Sequence, residues 1–179
     1  MKSTKIAIVG CGFLGTSLAK YLKDFFSVTT FDVSPQPKLL QDYNIEHEIC
    51  DITNFDQLQE SISTTSVIIH TVATNLANIP SNSLAYDVNI KGIQNVCETV
   101  SKSEPIRGMI LCSSWHVYGD QNISGDISED YGYRPDKVEE RAKIYALSKV
   151  VQDCIVRFFD NKQDEKIFGA FRLGTILDY

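Results

Sequence analysis

The chain has 179 residues, 43% of them hydrophobic and 22% charged, with 10 Gly and 5 Pro. That length suits one compact unit with a continuous core, and such a balance excludes a disordered or fibrous chain. With 17 basic against 23 acidic residues the net charge is −6, and no Lys/Arg cluster forms a phosphate-binding stripe, so no nucleic acid partner is expected.

Strand-length apolar runs occur at Ile6–Val9, Val28–Val33, Glu46–Cys50, Val67–Ala73, Met109–Ser113 and Ile167–Leu173. Between them, helical periodicity covers Leu14–Phe25, Phe55–Ile62 behind a capping Thr53 or Asn54, Leu84–Val100 and Glu139–Phe159. This alternation predicts an α/β fold with a parallel sheet, and runs that are apolar on both faces favour a doubly wound sheet over a barrel. The polar segment Gly119–Lys137 is long for a connection, a feature more often functional than idle. The run Ile6–Val9 is too short for a signal-peptide core or a membrane span, so neither targeting nor a membrane partner is expected. Cys11, Cys50, Cys97, Cys112 and Cys154 are far apart and match no zinc spacing. No metal is expected, and a reducing cytoplasmic setting fits five unpaired thiols.

The first strand runs into Gly10-Cys11-Gly12-Phe13-Leu14-Gly15 and a helix follows at once, the context a dinucleotide-binding turn requires. Gly10 permits the tight turn, Gly12 lets the backbone approach a pyrophosphate, and Gly15 lets helix pack closely on strand. Asp32 follows Gly10 by 22 residues, where a carboxylate can accept from both adenosine-ribose hydroxyls and repel a 2′-phosphate, which favours NAD. Asp32 before Ser34-Pro35 also reads as a turn former. Asp51 ends the third strand, where it is suited to the adenine amino group and also to a helix-entry turn.

Further on stand Ser113-Ser114-Trp115-His116-Val117-Tyr118-Gly119 and Tyr145-Ala146-Leu147-Ser148-Lys149. With the glycine turn, Asp32, Asp51, the strand Val67–Ala73, the segment Tyr86–Val96 and Ser128-Glu129-Asp130, these resemble the short-chain dehydrogenase/reductase superfamily over essentially the whole chain. The nearest likeness is to the extended and related atypical groups, which include NAD-dependent nucleotide-sugar epimerases, dehydratases and reductases. The resemblance implies a Rossmann-type NAD-binding fold spanning 1–179 as a single domain. It also implies cofactor contacts from Gly10, Gly12, Phe13, Leu14, Gly15, Asp32, Asp51, Ile52, Thr71, Val72, Ala73, Asn89, Tyr145 and Lys149. Ser114, Tyr145 and Lys149 are the implied catalytic set, with Ser114 holding the substrate oxygen and hydride passing between the sugar carbon and the nicotinamide.

The chemistry fits the residue types. Tyr145 and Lys149 lie four apart and share a helix face, so the ammonium is expected to lower the phenol from its usual value of about 10 towards working pH, making it a general acid/base. Ordinary structural readings stand beside these: a Tyr and a Lys four apart are common, Ser-Ser can be a polar exit from a sheet, and Trp115 and His116 read first as packing residues. Asn89 either contacts the cofactor or orders its helix.

Three departures from the family pattern shape the expectation. Val9 stands where extended members usually carry a glycine. Trp115-His116 replaces the acidic pair of the dehydratases, which disfavours water elimination. The chain stops after Arg172-Leu173-Gly174-Thr175-Ile176-Leu177, where relatives continue into a small substrate-binding domain. Two readings follow: an oxidoreductase or epimerase acting on a nucleotide sugar or a similar hydroxyl/ketone substrate, or an NAD(P)-binding module for sensing or assembly without catalysis. The helices over 84–100 and 139–159 match those that pair subunits in the family, so a homodimer is expected.

Overall fold

A computed structural model of the chain describes residues 4–74, 82–162 and 165–176. What the sequence implies for residues 1–3 and 177–179 lies outside them. Six strands, β1 (Lys5–Val9), β2 (Ser27–Asp32), β3 (Glu46–Ile49), β4 (Val67–His70), β5 (Gly108–Ser114) and β6 (Ile167–Leu173), pair in parallel in the order β3-β2-β1-β4-β5-β6. The helices are α1 (Phe13–Leu22), α2 (Lys38–Asp42), α3 (Phe55–Ile62), α4 (Asn82–Tyr86), α5 (Gly92–Lys102) and α6 (Lys143–Asp160), with a π-helical turn Asp87–Lys91 joining α4 to α5. This is the doubly wound, Rossmann-type arrangement that the alternating pattern calls for.

Burial explains the sequence of the central strand. Ile6, Ala7, Ile8 and Val9 are all buried because helices cover both faces. On one face Ala7, Val9, Ile68, Met109 and Leu111 pack with Leu58 of α3, Ile93 and Val96 of α5, and Val156 of α6. On the other, Ile6, Ile8 and Val28 pack with Ala19 of α1 and Leu40 of α2. Each of the larger aliphatic side chains among these contributes about 1.5–3 kcal/mol by leaving water. Along α6, Ala146, Lys149, Gln152, Asp153 and Val156 turn inward at helical spacing, so the buried stripe mixes apolar with polar groups.

Several boundaries differ from those read in the sequence. β4 stops at His70: the Thr71 N–H makes the last ladder bond, to the Val9 carbonyl at 2.8 Å, and its hydroxyl then donates to the Gly10 carbonyl at 2.8 Å, where β1 has already given way to the glycine turn. α6 begins at Lys143, and the residues before it form a 3₁₀ turn, Glu140–Ala142, whose periodicity is easily taken for helix. α2 has five residues with one buried anchor, Leu40, too short for a periodic signal. No helix among the described residues is long and apolar enough to cross a membrane.

Candidate functional site

β1 hands the chain to β2, while β4 lies on the other side of β1, so the strand order reverses direction here and a crevice opens at the carboxyl ends. The glycine turn lines it. Gly10 has φ +106°, and a Cβ there would stand 2.7 Å from Thr71 Oγ1 and 2.8 Å from the Val72 nitrogen. A Cβ on Gly15 would stand 1.9 Å from the Gly10 carbonyl oxygen, so α1 sits directly against the turn. Gly12 is different: nothing lies within 4 Å of a Cβ built on it, and no side chain caps α1. The open face of the loop is thus where N–H groups and the helix dipole meet free space, the arrangement that receives a pyrophosphate.

Asp32 closes the next turn. Its Oδ2 accepts from the Cys11 N–H at 2.7 Å and its Oδ1 from the Ser34 N–H at 2.9 Å. Each oxygen keeps a second lone pair, so turn formation and ribose binding are compatible. Asp51 likewise acts in the helix-entry turn, accepting from the Thr53 N–H at 2.9 Å and hydroxyl at 2.8 Å through Oδ1. Asn54 then caps α3 by accepting from the Gln57 N–H at 3.3 Å. The Cys11 thiol is pushed up to about 11, chiefly by burial, which keeps it protonated beside the turn.

These residues converge on one cleft of about 510 Å³ lined by Gly10, Gly12, Asp32, Asp51, Ile52, Thr71, Val72 and Ala73 among others. Phe13 and Leu14 stay outside it, Phe13 being largely exposed. A larger groove of about 770 Å³ between the outward sides of α5 and α6 has none of the site residues in its lining.

Asn89, in the π-helical turn, joins the cleft to α6. Its carboxamide pairs with both backbone groups of Thr74 and donates to Ser148 Oγ at 3.3 Å. A π-helical turn at such a junction is common near functional sites. Thr74 carries no motif of its own, and sequence reasoning passed over it.

The second cluster stands at the end of β5. Lys149, 2% exposed, donates from Nζ to the Cys112 carbonyl at 2.9 Å, and the same ammonium lies 5.8 Å from the Tyr145 ring centre. Burial lowers Lys149 to about 8. Burial raises the Tyr145 phenol above its ordinary value, and a hydrogen bond with Ser114 draws it partly back. Lys149 is not among the groups that move the phenol, contrary to the expectation from their spacing: the ammonium is committed to a carbonyl and the phenol is poorly solvated.

Ser114 starts a 3₁₀ turn, Trp115–Tyr118, and its Oγ accepts from the His116 N–H at 3.3 Å. The His116 ring returns, placing Nδ1 3.0 Å from the same oxygen. Sequence reasoning treated His116 as packing; its only signal was adjacency to Ser114. His70, fully buried under the cluster, has neither ring nitrogen bonded within the protein. Among the described residues no group of three or more His, Cys, Asp or Glu is placed to hold a metal ion.

Comparison with known proteins is consistent in fold. The family model described as the 3-beta hydroxysteroid dehydrogenase/isomerase family matches residues 6–164. Over 149 residues the chain is 26% identical to the N-acetyl-alpha-D-glucosaminyl-diphospho-ditrans,octacis-undecaprenol 4-epimerase of Escherichia coli O157:H7, covering 78% of this chain and 43% of that protein. The UDP-Glc/GlcNAc 4-epimerase from Campylobacter jejuni superposes with a TM-score of 0.78 at 20% identity, covering 96% of this chain and 53% of the other. The dTDP-glucose 4,6-dehydratase from Bacillus anthracis str. Ames, crystallised in complex with NAD, superposes with a TM-score of 0.76 at 21% identity, covering 95% and 54%. The chain therefore spans about half the length of these relatives.

Proposed function

Because this chain belongs to the 3-beta hydroxysteroid dehydrogenase/isomerase family, we propose that residues 1–179 form one dinucleotide-binding domain of an NAD-dependent oxidoreductase or epimerase acting on a nucleotide sugar or a similar hydroxyl/ketone substrate. The observation that carries this reading is the hydrogen-bonded bridge Thr74–Asn89–Ser148, which ties the wall of the glycine-loop cleft to the helix bearing Tyr145 and Lys149. NAD in crystals of several structural neighbours, and the nucleotide-sugar substrate named for the Campylobacter jejuni epimerase, support the choice of cofactor and substrate class.

The residues fit NAD on physical grounds. Gly12 leaves open space where the pyrophosphate would rest, and the uncapped start of α1 offers N–H groups to it. Asp32 accepts from the ribose hydroxyls with its remaining lone pairs and repels a 2′-phosphate, while Asp51 and Ile52 flank the adenine and Thr71–Ala73 the central part. NAD when bound supplies the hydride acceptor or donor. Ser114 holds the substrate oxygen, and Tyr145 holds the proton exchanged with that oxygen, burial keeping it on the phenol at rest. Lys149, anchored on the Cys112 carbonyl, keeps two N–H groups for the nicotinamide ribose.

The groove between α5 and α6, lined by Val150, Val151, Ile155 and Phe158, supports pairing of two such chains as a homodimer. The five free thiols support a reducing, cytoplasmic setting.

Isothermal titration with NAD and NADP tests the cofactor half. NAD is expected to bind more tightly by at least tenfold, and Asp32→Ala to erase most of that preference. Spectrophotometric reduction of bound NAD by candidate nucleotide sugars, compared between wild type and Tyr145→Phe, tests the chemistry. Tight NAD binding with equal behaviour of the two proteins would leave a cofactor-binding module without catalysis; no binding of either nucleotide would overturn the reading.

A further inference from the structure

Asp32 is held from behind the cleft by a closed ring of contacts. Its two oxygens take the Cys11 and Ser34 N–H groups, and Ser34 is gripped in turn by His47 on the neighbouring strand β3. The Ser34 carbonyl stands 3.0 Å from His47 Nε2. A carbonyl only accepts, so Nε2 carries a hydrogen and donates it. At the other end of the imidazole, Nδ1 stands 3.0 Å from Thr30 Oγ1 and 3.7 Å from Cys11 Sγ, which brings the circuit back to the glycine turn. Thr30 is buried and donates its own hydroxyl hydrogen to the Glu46 carbonyl at 2.9 Å, so this end of the ring rests on the buried part of β2. Val33 and Ser34, by contrast, are exposed, and Pro35 after them has no N–H with which to anchor the turn. Gln36 Nε2 ties the same loop to the Ile45 carbonyl at 2.7 Å, two residues further from Asp32.

We propose that His47 sets the selectivity of the cleft for NAD over NADP, by holding the Ser34 carbonyl and through it the angle at which the Asp32 carboxylate faces the adenosine ribose. The proposal rests on the NAD-binding reading above. Both backbone groups of Ser34 are engaged, its N–H by Asp32 Oδ1 at 2.9 Å and its carbonyl by the imidazole. Without the imidazole hydrogen that residue is free to turn, and Asp32 Oδ1 turns with its partner. Discrimination against a 2′-phosphate needs a carboxylate oxygen aimed at the 2′ position, because repulsion depends on distance and the ribose hydrogen bonds depend on direction as well. A carboxylate that swings away loses the bonds to the ribose hydroxyls and the repulsion together, so NAD is weakened more than NADP. Neither His47 nor Ser34 lines the cleft. His47 is therefore a positioning residue that touches no part of the nucleotide and acts from the far side of Asp32.

Calorimetric titration of the full chain with NAD and with NADP, in the wild type and in His47→Gln, His47→Asn and His47→Leu, tests this. Gln places an amide N–H where Nε2 stands, Asn reaches only as far as Nδ1, and Leu donates nothing. The ratio of the two affinities should stay within about twofold of wild type in His47→Gln and fall at least about fivefold in His47→Asn and His47→Leu. Loss of stability alone would lower both affinities and leave their ratio, so the ratio separates positioning from folding. A second readout needs no nucleotide: the Ser34 amide should exchange its hydrogen at least about threefold faster in His47→Asn and His47→Leu than in wild type or His47→Gln. If His47→Leu does not fold, His47→Asn decides. An unchanged ratio in folded His47→Asn, an equal fall in His47→Gln, or equal exchange in all four proteins overturns the proposal. A wild type that binds neither nucleotide overturns the functional reading and this proposal with it, whereas a wild type that prefers NAD alongside unaltered variants overturns this proposal alone.

Discussion

Asn89 and Thr74 are tied through both ends of one carboxamide: Oδ1 accepts the Thr74 N–H at 2.8 Å while Nδ2 donates to the Thr74 carbonyl at 2.9 Å. The backbone of Asn89 is used as well, its carbonyl accepting from Gln152 Nε2 at 2.7 Å. One residue of a π-helical turn thereby holds the chain leaving β4 and two positions of α6. Its side chain is 2% exposed, so its polar atoms depend on these partners.

Replacing Asn89 with Ala should therefore cost about 1–3 kcal/mol, the cost of leaving a buried partner unmade, read as a lower urea midpoint. NAD affinity should fall at least several-fold in the same variant, because Thr74 lines the cleft. An unchanged midpoint would show that the bridge is not what fixes the cleft to α6.

The three glycines of the turn should respond differently to alanine. Gly10→Ala puts a Cβ at a positive φ within 2.8 Å of backbone, and Gly15→Ala puts one 1.9 Å from a carbonyl, so both should lose at least about 2 kcal/mol or fail to fold. Gly12→Ala meets nothing within 4 Å, so its stability should stay within about 0.5 kcal/mol of wild type while NAD binding weakens. Urea unfolding and calorimetric titration of the three variants separate a packing role from a binding one.

The centre of the sheet was legible in the sequence because Ile6–Val9 is buried on both faces and so is written as an unbroken apolar run, whereas the edge strand Ile167–Leu173 is exposed or half-buried at all but one position and carries Gly169 and Arg172 among its apolar residues. α2 was not legible, since five residues around Leu40 carry no period. Within the site, glycines and acids in a strand–turn–helix context announce themselves. The Cys112 carbonyl that takes Lys149 does not, because any residue has a carbonyl. The Tyr145–Lys149 spacing told that the two side chains share a face and nothing about their solvation, which is why the direction of the phenol shift was misjudged.

His70 makes stability depend on acid. Burial, aided by the Lys149 charge, lowers it from 6.5 to about 3. Between those values the unfolded chain takes up a proton that the folded chain refuses, so stability falls as pH drops from about 6.5 towards about 3. His70→Leu should remove that slope, and at neutral pH it should keep or raise stability, because an apolar group replaces ring nitrogens that have no protein partner. Urea midpoints of the two proteins across this window should diverge towards acid; parallel curves would assign the acid sensitivity elsewhere.

Arg172 organises the far side of the site. Its Nε donates to Asp153 Oδ2 at 2.8 Å, one terminal nitrogen to the Tyr133 hydroxyl at 3.0 Å, and the other to the Tyr118 hydroxyl and the Glu129 carbonyl. Arg172→Met should cost about 3–5 kcal/mol, because it leaves the Asp153 carboxylate, 2% exposed, without its cation. Adding Asp153→Leu should recover most of that loss. The segment 119–137 should also become cleavable by trypsin after Lys137 in Arg172→Met while staying resistant in the wild type, which limited proteolysis reads directly.

The strand order carries a consequence in time. β1, β2 and β3 are neighbours in sequence and in the sheet, so they can assemble as soon as residues 5–49 are available. The other edge of β1 is filled only by Val67–His70, whose register runs from Ile6↔Val67 to Val9↔His70. Until that segment arrives, a strand apolar on both faces presents an open ladder of N–H and C=O groups. During synthesis, then, the glycine turn is built early and its far wall, Thr71–Ala73, late. A nascent chain halted before β4 would carry the glycine turn with one side missing and its most adhesive edge exposed to other chains.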